Sequence, residues 1–441
     1  MRIIFIVLAV LLQLSEGGKY LDPHFGDRGM GMTTTQIEAQ SYGNSVAIQN
    51  DRKIVVAGRT QSHGTIDFAL ARYESNGTLD TSFNFDGKVF TQVGYGDSEA
   101  RDIAIIGYGN SKIFVTGESM DENGTRYFTL LQYNEYGLPD INFGDSGTVM
   151  TKVSGNHHCL AASVDIQFDH GDSELKPIVA GWCLADQNIF AMTRYESNGT
   201  LDSDFGENHN GIVTTTVSSK DGRITSMAIY GDSRIALTGR AGGGSVDSFL
   251  LMRYEENGTL DLSFDVDGIT TTIVSYEGSC AEDLAIQRDD KVVAAGFCIV
   301  EGDYNIALVR YNEDGSLDES FGDRGIVITR RKGSRDIATN VALLRDGKIV
   351  ISGTSNGDFF VARYLTNGKP DTSFGENGMM IEPIQNDGVY QGMFLQDDGK
   401  AVVVGTSDLS DTDSAFIVMR FMEETPRAPV PPMAPIYYLL Q

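Results

Sequence analysis

The chain has 441 residues, 41% hydrophobic and 22% charged, a balance that excludes an intrinsically disordered polymer. Its 50 glycines stand against 10 prolines without a G-X-Y period, which excludes collagen and points to many tight turns. A net charge of −27 repels nucleic acid and anionic membrane, and suits cationic partners or divalent ions.

Met1-Arg2 opens a run from Ile3 to Leu14 that is apolar except at Gln13, and Ser15-Glu16-Gly17-Gly18 follows. One positive charge, an apolar stretch of about 12 residues and then small residues make a signal-peptide pattern, shorter than the ~20 residues of a bilayer span. Residues 1–17 are therefore expected to be removed, leaving a secreted chain with no membrane span. An uncleaved anchor is the rival reading.

From Leu21 to Phe421 the chain repeats itself. Leu-Asp followed three residues later by Phe, as at Leu21-Asp22…Phe25 and Leu317-Asp318…Phe321, occurs seven times if the variants at Pro139 and Pro370 are included. A glycine after a small apolar run recurs at Gly58, Gly117, Gly181, Gly239, Gly296, Gly353 and Gly405. An Arg-Tyr pair recurs from Arg72-Tyr73 onward, with variants Gln132-Tyr133 and Arg420-Phe421. Self-similarity at such a period signals a solenoid or a propeller.

Each unit holds four short strand-like runs. Around residue 300 they are 284–287, 291–295, 305–311 and 325–329. The second is continuously apolar, as in a strand buried on both faces; the last alternates with Thr, as in an exposed edge. No segment carries a sustained 3.6-residue apolar period, so helix is nearly absent. Four antiparallel strands repeated seven times predict an all-β, seven-bladed β-propeller over residues 18–424. The last unit lacks its fourth strand, and the N-terminus supplies an orphan one at Met30–Thr35. Docking that strand on the last blade closes the ring and hides two sheet edges. Residues 425–441, rich in proline, read as an extended tail.

The string Arg-Tyr, Asn-Gly or Asp-Gly, Leu-Asp, Ser-Phe-Gly, clearest from Arg310 to Gly322, resembles the delta-60 repeats of secreted proteins. The strand phase is similar to that of NHL-type propellers, in which the Leu-Ala-Ile-Gln type of strand lies innermost. The resemblance implies a propeller and brings no settled catalytic activity.

The recurrent Arg and Asp residues could be read as an anion ring and a metal ring. A residue repeated once per blade more plainly solves a blade problem, and Arg can pair with the Asp eight residues on. The Phe of each marker is expected to plug the space between blades. Asp265 to Gly268 and Asn84 to Gly87 resemble the start of a calcium loop but do not continue as one, so turn chemistry is expected, with calcium the alternative and no other cofactor implied. Cys159 and Cys183 bracket neighbouring strands of one unit, and Cys280 and Cys298 are read as the same two places two units later. Bridges Cys159–Cys183 and Cys280–Cys298 are expected, each closing a loop of ~20 residues worth ~3 kcal/mol. Asn76, Asn123, Asn198 and Asn257 each begin Asn-Gly-Thr, a glycosylation sequon that also serves turn geometry.

The first-to-second and third-to-fourth turns vary little and fall on one face of the ring, here the constant face. The other connections vary in length and text and fall on the opposite, variable face, where binding is expected. Two spots stand out there. His157, His158 and Trp182 are expected beside the Cys159–Cys183 bridge, as a ligand pocket or an ordinary loop over a half-buried Trp. Arg330, Arg331 and Arg335 form a basic patch that could hold an anionic glycan or a partner carboxylate, or be balanced by acidic neighbours. Gly-x-Ser-x-Gly, His-Glu-x-x-His and phosphate-loop motifs do not occur. The leading expectation is a secreted, monomeric propeller that binds an extracellular protein or glycan. The rivals are a carbohydrate-active hydrolase or lyase with acidic residues at the channel mouth, and a structural matrix component.

Overall fold

The computed structural model describes residues 18–423, apart from 63, 108–109, 156, 172–173, 187, 218–220, 243–245, 385–388 and 411–412. The expected signal segment and the tail at 425–441 lie outside the described residues. Seven four-stranded antiparallel sheets follow one another, six of them with their strands in sequence order. Blade 1 comprises Ser41–Ile48, Ile54–Ser62, Thr65–Tyr73 and Lys88–Thr91, innermost strand first. Blades 2 to 6 repeat this over 99–151, 159–216, 223–272, 279–329 and 336–382. No described helix is long and apolar enough to cross a membrane.

Blade 7 takes three strands from the C-terminal end and its outermost from Met32–Thr35, which pairs antiparallel with Ser414–Phe421. Met32 faces Met419 and Thr35 faces Phe416. The seven-bladed count and the closing strand are thus as the repeats predict.

The strands follow from their side chains. Second and third strands are buried on both faces (Ile54 to Ala57, and all of Ser248–Tyr254), whereas the outermost Ile212–Thr216 is half open to water. Every innermost strand carries a bulge at one place, between Gly43 and Ser45 in blade 1 and between Ala281 and Asp283 in blade 5. The bulge turns an innermost carbonyl onto the second strand, so a Cβ at Gly58 would lie 1.9 Å from the Tyr42 carbonyl oxygen. That contact, not a positive φ, requires the recurrent glycine.

The core lies between blades. Ala57, Phe68 and Phe83 of blade 1 pack with Ile103, Val115 and Tyr133 of blade 2. Phe25 of the closing segment packs with Val56 of blade 1 and Val402 of blade 7. All seven marker phenylalanines are buried in such seams, which is the plug expected of them.

The recurrent Arg and Asp serve the same purpose. Arg72, Arg194, Arg253, Arg310, Arg363 and Arg420 each place Nε 2.6–3.0 Å from Oδ2 of Asp80, Asp202, Asp261, Asp318, Asp371 and Asp22. Each guanidinium also lies 4.4–4.7 Å from the centroid of its marker Phe. Its Nη1 donates to a turn carbonyl of the next blade, as Arg310 does to Thr366 at 2.6 Å and Arg420 to Ser75 at 2.7 Å. In blade 2 Gln132 stands in this place, binds Asp140, and leaves its buried Oε1 without a partner among the described residues. These are blade-to-blade staples, not an anion or metal ring.

One expected bridge is present and one is not. Cys159 and Cys183 face each other and are bonded. Cys280 and Cys298 are both free and buried. The reason is a one-residue offset. Ser279, not Cys280, faces Cys298, while Cys280 faces Phe297 and so projects from the other side of the sheet. The hairpin of blade 3, Cys159–Asp169 with Glu174–Cys183, is longer than that of blade 5, so the two cysteine spacings do not correspond residue for residue. Ser279→Cys is therefore expected to bond Cys298 and raise stability by up to ~3 kcal/mol. Thiol titration should then find Cys280 as the one remaining free thiol. Three free thiols would contradict the register.

Candidate functional site

On the variable face His157 and His158 lie beside the Cys159–Cys183 bridge: the His157 carbonyl oxygen is 3.7 Å from Cys159 Sγ, and the His158 carbonyl accepts from the Leu184 amide at 2.8 Å. Cys183 turns toward blade 2, packing with Phe114 and Phe128. Trp182, next to it in an extended strand, turns the other way and packs against the seam with blade 4. His157 and His158 are exposed, and His158 Nδ1 accepts from the Arg126 amide of blade 2 at 3.3 Å. His170, on the long hairpin of the constant face, pairs with Glu256 at 2.9 Å.

The basic patch is answered by its neighbours. Arg330 meets Glu301 at 2.8 Å, with both side chains at least half exposed. Arg331 meets buried Asp336 at 3.3 Å and Ser355 Oγ at 2.8 Å. Arg335 lies over the Tyr304 ring at 4.6 Å, and its amide donates to Asn356 Oδ1. Nearer the channel mouth, Glu99 and Glu118 are buried and share Arg59, Arg101 and Arg126 at 2.5–3.1 Å.

The central channel holds a feature that motif reading missed. Each innermost strand carries one tetrad after its bulge, Ser45-Val-Ala-Ile48 in blade 1 and Asp283-Leu-Ala-Ile286 in blade 5. The fourth positions form a half-buried aliphatic collar: Ile48, Ile105, Ile166, Ile229, Ile286, Leu343 and Leu395. The first positions are Ser, Asn or Gly, except for Asp102 and Asp283, and Asp165 replaces the usual third-position Ala. Asp102 accepts from Ser45 Oγ of blade 1 at 2.8 Å and from Ser163 Oγ and the Val164 amide of blade 3 at 2.9 Å. Asp283 ties Ser226 of blade 4 at 2.6 Å to the Val341 amide of blade 6 at 2.8 Å. Asp165 accepts from the Ile229 amide of blade 4 at 3.2 Å.

These carboxylates are half-buried. Burial pushes Asp165 and Asp283 up to about 6, against the pull of their hydrogen bonds, and the Asp102 charge adds to the rise. Asp102 itself is raised by burial. A folded value above the unfolded one means that stability is fullest below about 4 and is lost as pH rises through about 6. Asp165→Asn keeps an acceptor for the Ile229 amide. It is expected to raise stability at pH 8 by about 1–3 kcal/mol, water in the channel reducing the full effect. At pH 4 it should change little. Denaturant melts at the two pH values check this, and equal effects at both would contradict it.

The calcium-like segments serve as turns: Asp86 Oδ1 accepts from the Lys88 amide at 3.0 Å and Asp267 Oδ1 from the Ile269 amide at 3.2 Å. Among the described residues no group of three His, Cys, Asp or Glu is placed to hold a metal. All four sequon asparagines are exposed. Asn76, Asn198 and Asn257 occupy equivalent turns of the constant face, where Oδ1 of each accepts from Thr at two residues on. The larger grooves also lie on that face, at the seams between blades.

The fold and its residues define a seven-bladed β-propeller built from one repeated unit. Residues 49–83, 231–264, 287–321 and 344–374 match the family described as a domain of unknown function (DUF5122) beta-propeller. A search of curated proteins gives no significant match. Among solved structures, a virginiamycin B lyase from Staphylococcus aureus with quinupristin is 9% identical, with TM-score 0.48 over 88% of this chain and 98% of that one. The polysaccharide lyase Uly1 is 11% identical, with TM-score 0.47 over 87% and 90%. Drosophila Semaphorin 2a is 8% identical, with TM-score 0.47 over 88% and 75%.

Proposed function

We propose that the protein is a secreted binding module that holds an extracellular protein or glycan on its variable face. The observation that carries this reading is a division of labour among residues. Those recurring in every blade are used in staples, plugs and the hub, while the exposed loop residues of the variable face, such as His157, His158 and Arg335, differ from blade to blade. A rigid frame with unlike loops is the usual setting of recognition. The disulfide Cys159–Cys183 suits an oxidising compartment, and we place N-linked glycans on Asn76, Asn123, Asn198 and Asn257, which enzymatic deglycosylation would reveal as a mass loss. The test is an array of extracellular proteins and glycans probed with the secreted form, a His157→Ala/His158→Ala variant and an Arg335→Glu variant. Loss of a captured ligand in either variant supports the reading, and equal capture by all three overturns the variable-face assignment.

A second reading, a carbohydrate-active hydrolase or lyase, is favoured by one observation, the channel carboxylates Asp102, Asp165 and Asp283, all raised by burial, Asp165 and Asp283 to about 6. It requires that cleavage of a polysaccharide be lost in Asp165→Asn and Asp283→Asn while the fold is kept.

A further inference from the structure

We propose that the groove between blades 5 and 6 on the constant face docks an acidic peptide segment of a partner protein, one carrying carboxylate and aliphatic side chains together. The groove measures about 750 Å³ and runs between two equivalent hairpin turns. Arg288 and Arg345 stand at the same place in these turns, one on each side. In four other blades that place holds Asn50, Gly107, Gly231 and Asp397, so the turn itself does not require arginine. Arg288 is exposed and has no ion pair among the described residues. Arg345 meets only Asp397, at 3.0 Å, and the two side chains are 78% and 93% exposed. Such an exposed surface pair is weak and exchanges readily for another carboxylate. A chain of net charge −27 thus sets two accessible guanidinium groups over one groove, where each can fork a carboxylate.

The groove is aliphatic between those charges, with Ile286, Leu343 and Leu344 along it. The turns beside the groove read Asp314-Gly315-Ser316 and Asn367-Gly368-Lys369, neither of them a sequon, so N-glycans would leave this sector clear. Aliphatic contact between two guanidinium groups fits a peptide with carboxylate and aliphatic side chains better than a uronate or sulfated sugar chain, which has no aliphatic side chains to lay along Ile286, Leu343 and Leu344.

This site lies opposite the variable face and stands or falls apart from the proposed function. The test is fluorescence anisotropy with a fluorescein-labelled peptide of alternating Glu and Leu, using the whole protein. Saturable binding is expected, weakened at least about tenfold by Arg288→Glu/Arg345→Glu and unchanged by Arg28→Glu in the closing segment of blade 7. An alternating Lys and Leu peptide should not bind. Absence of binding, equal affinity in the double variant, or displacement of the peptide by an equimolar heparin hexasaccharide would each overturn the proposal.

Discussion

Asp22→Ala is expected to destabilise the protein by about 3–5 kcal/mol, a large share of the stability of an ordinary fold. Asp22 is the carboxylate through which the two ends of the chain meet. It is buried, accepts from Arg420 Nε and Nη2 at 3.0 Å, and takes Lys400 at 2.8 Å. Alanine leaves Arg420 in a buried seam with no counter-charge, and leaves Lys400 with only the exposed Asp398 at 3.7 Å. It also loosens the backbone contact in which the Asp22 amide donates to the Arg420 carbonyl at 2.8 Å. The loss should begin at the closure, so amides of residues 32–35 and 416–419 should lose hydrogen-exchange protection before those of blades 3 to 5. Uniform loss around the ring, or an unchanged denaturation midpoint, would contradict this role.

Acid should unfold the protein steeply below about pH 4. Burial alone would raise Asp22, Asp80, Asp202, Asp261, Asp318 and Asp371, but hydrogen bonds from Lys, Ser or backbone amides, differing from blade to blade, together with the Arg charge hold all six below the usual carboxylate range. A folded value below the unfolded one gives stability that is present above about 4 and lost as pH falls through the folded value. With six staples titrating together the slope should be unusually large. The hub carboxylates act with the opposite sign, gaining stability as pH falls from about 7 toward 4. The two together predict a stability maximum near pH 5, readable from urea midpoints across pH. Stability rising without a break from pH 5 to pH 8 would contradict the raised hub carboxylates.

The blade count and the closing strand were legible because each unit repeats its marker in one phase, and a blade missing its fourth strand must find one. The Arg–Asp pairing was legible for the same reason, an eight-residue spacing kept five times, with Arg420 and Asp22 completing the set across the ring closure. Three things were not. The Cys280–Cys298 expectation failed by one residue, and in a strand one residue reverses the side of the sheet. The side on which Trp182 lies was not legible either, since Trp182 and Cys183 are neighbours and face opposite seams. The innermost strand was expected over 284–287 and spans Ser279–Ile286, because its bulge breaks the period-2 pattern across Cys280 to Asp283. The hub carboxylates carry a signal after all, Asp165 standing where the repeat wants alanine, but only alignment of the seven tetrads shows it.

The closure of the ring is tested most directly by linking its two ends. Thr34 faces Ile417 across the joint, so Thr34→Cys/Ile417→Cys should form an intramolecular disulfide on mild oxidation of the folded protein. Peptide mapping should recover the segments around 34 and 417 joined in one fragment of monomeric protein. Recovery of both thiols reduced, or of disulfides only between molecules, would mean that the N-terminal strand does not close the last blade.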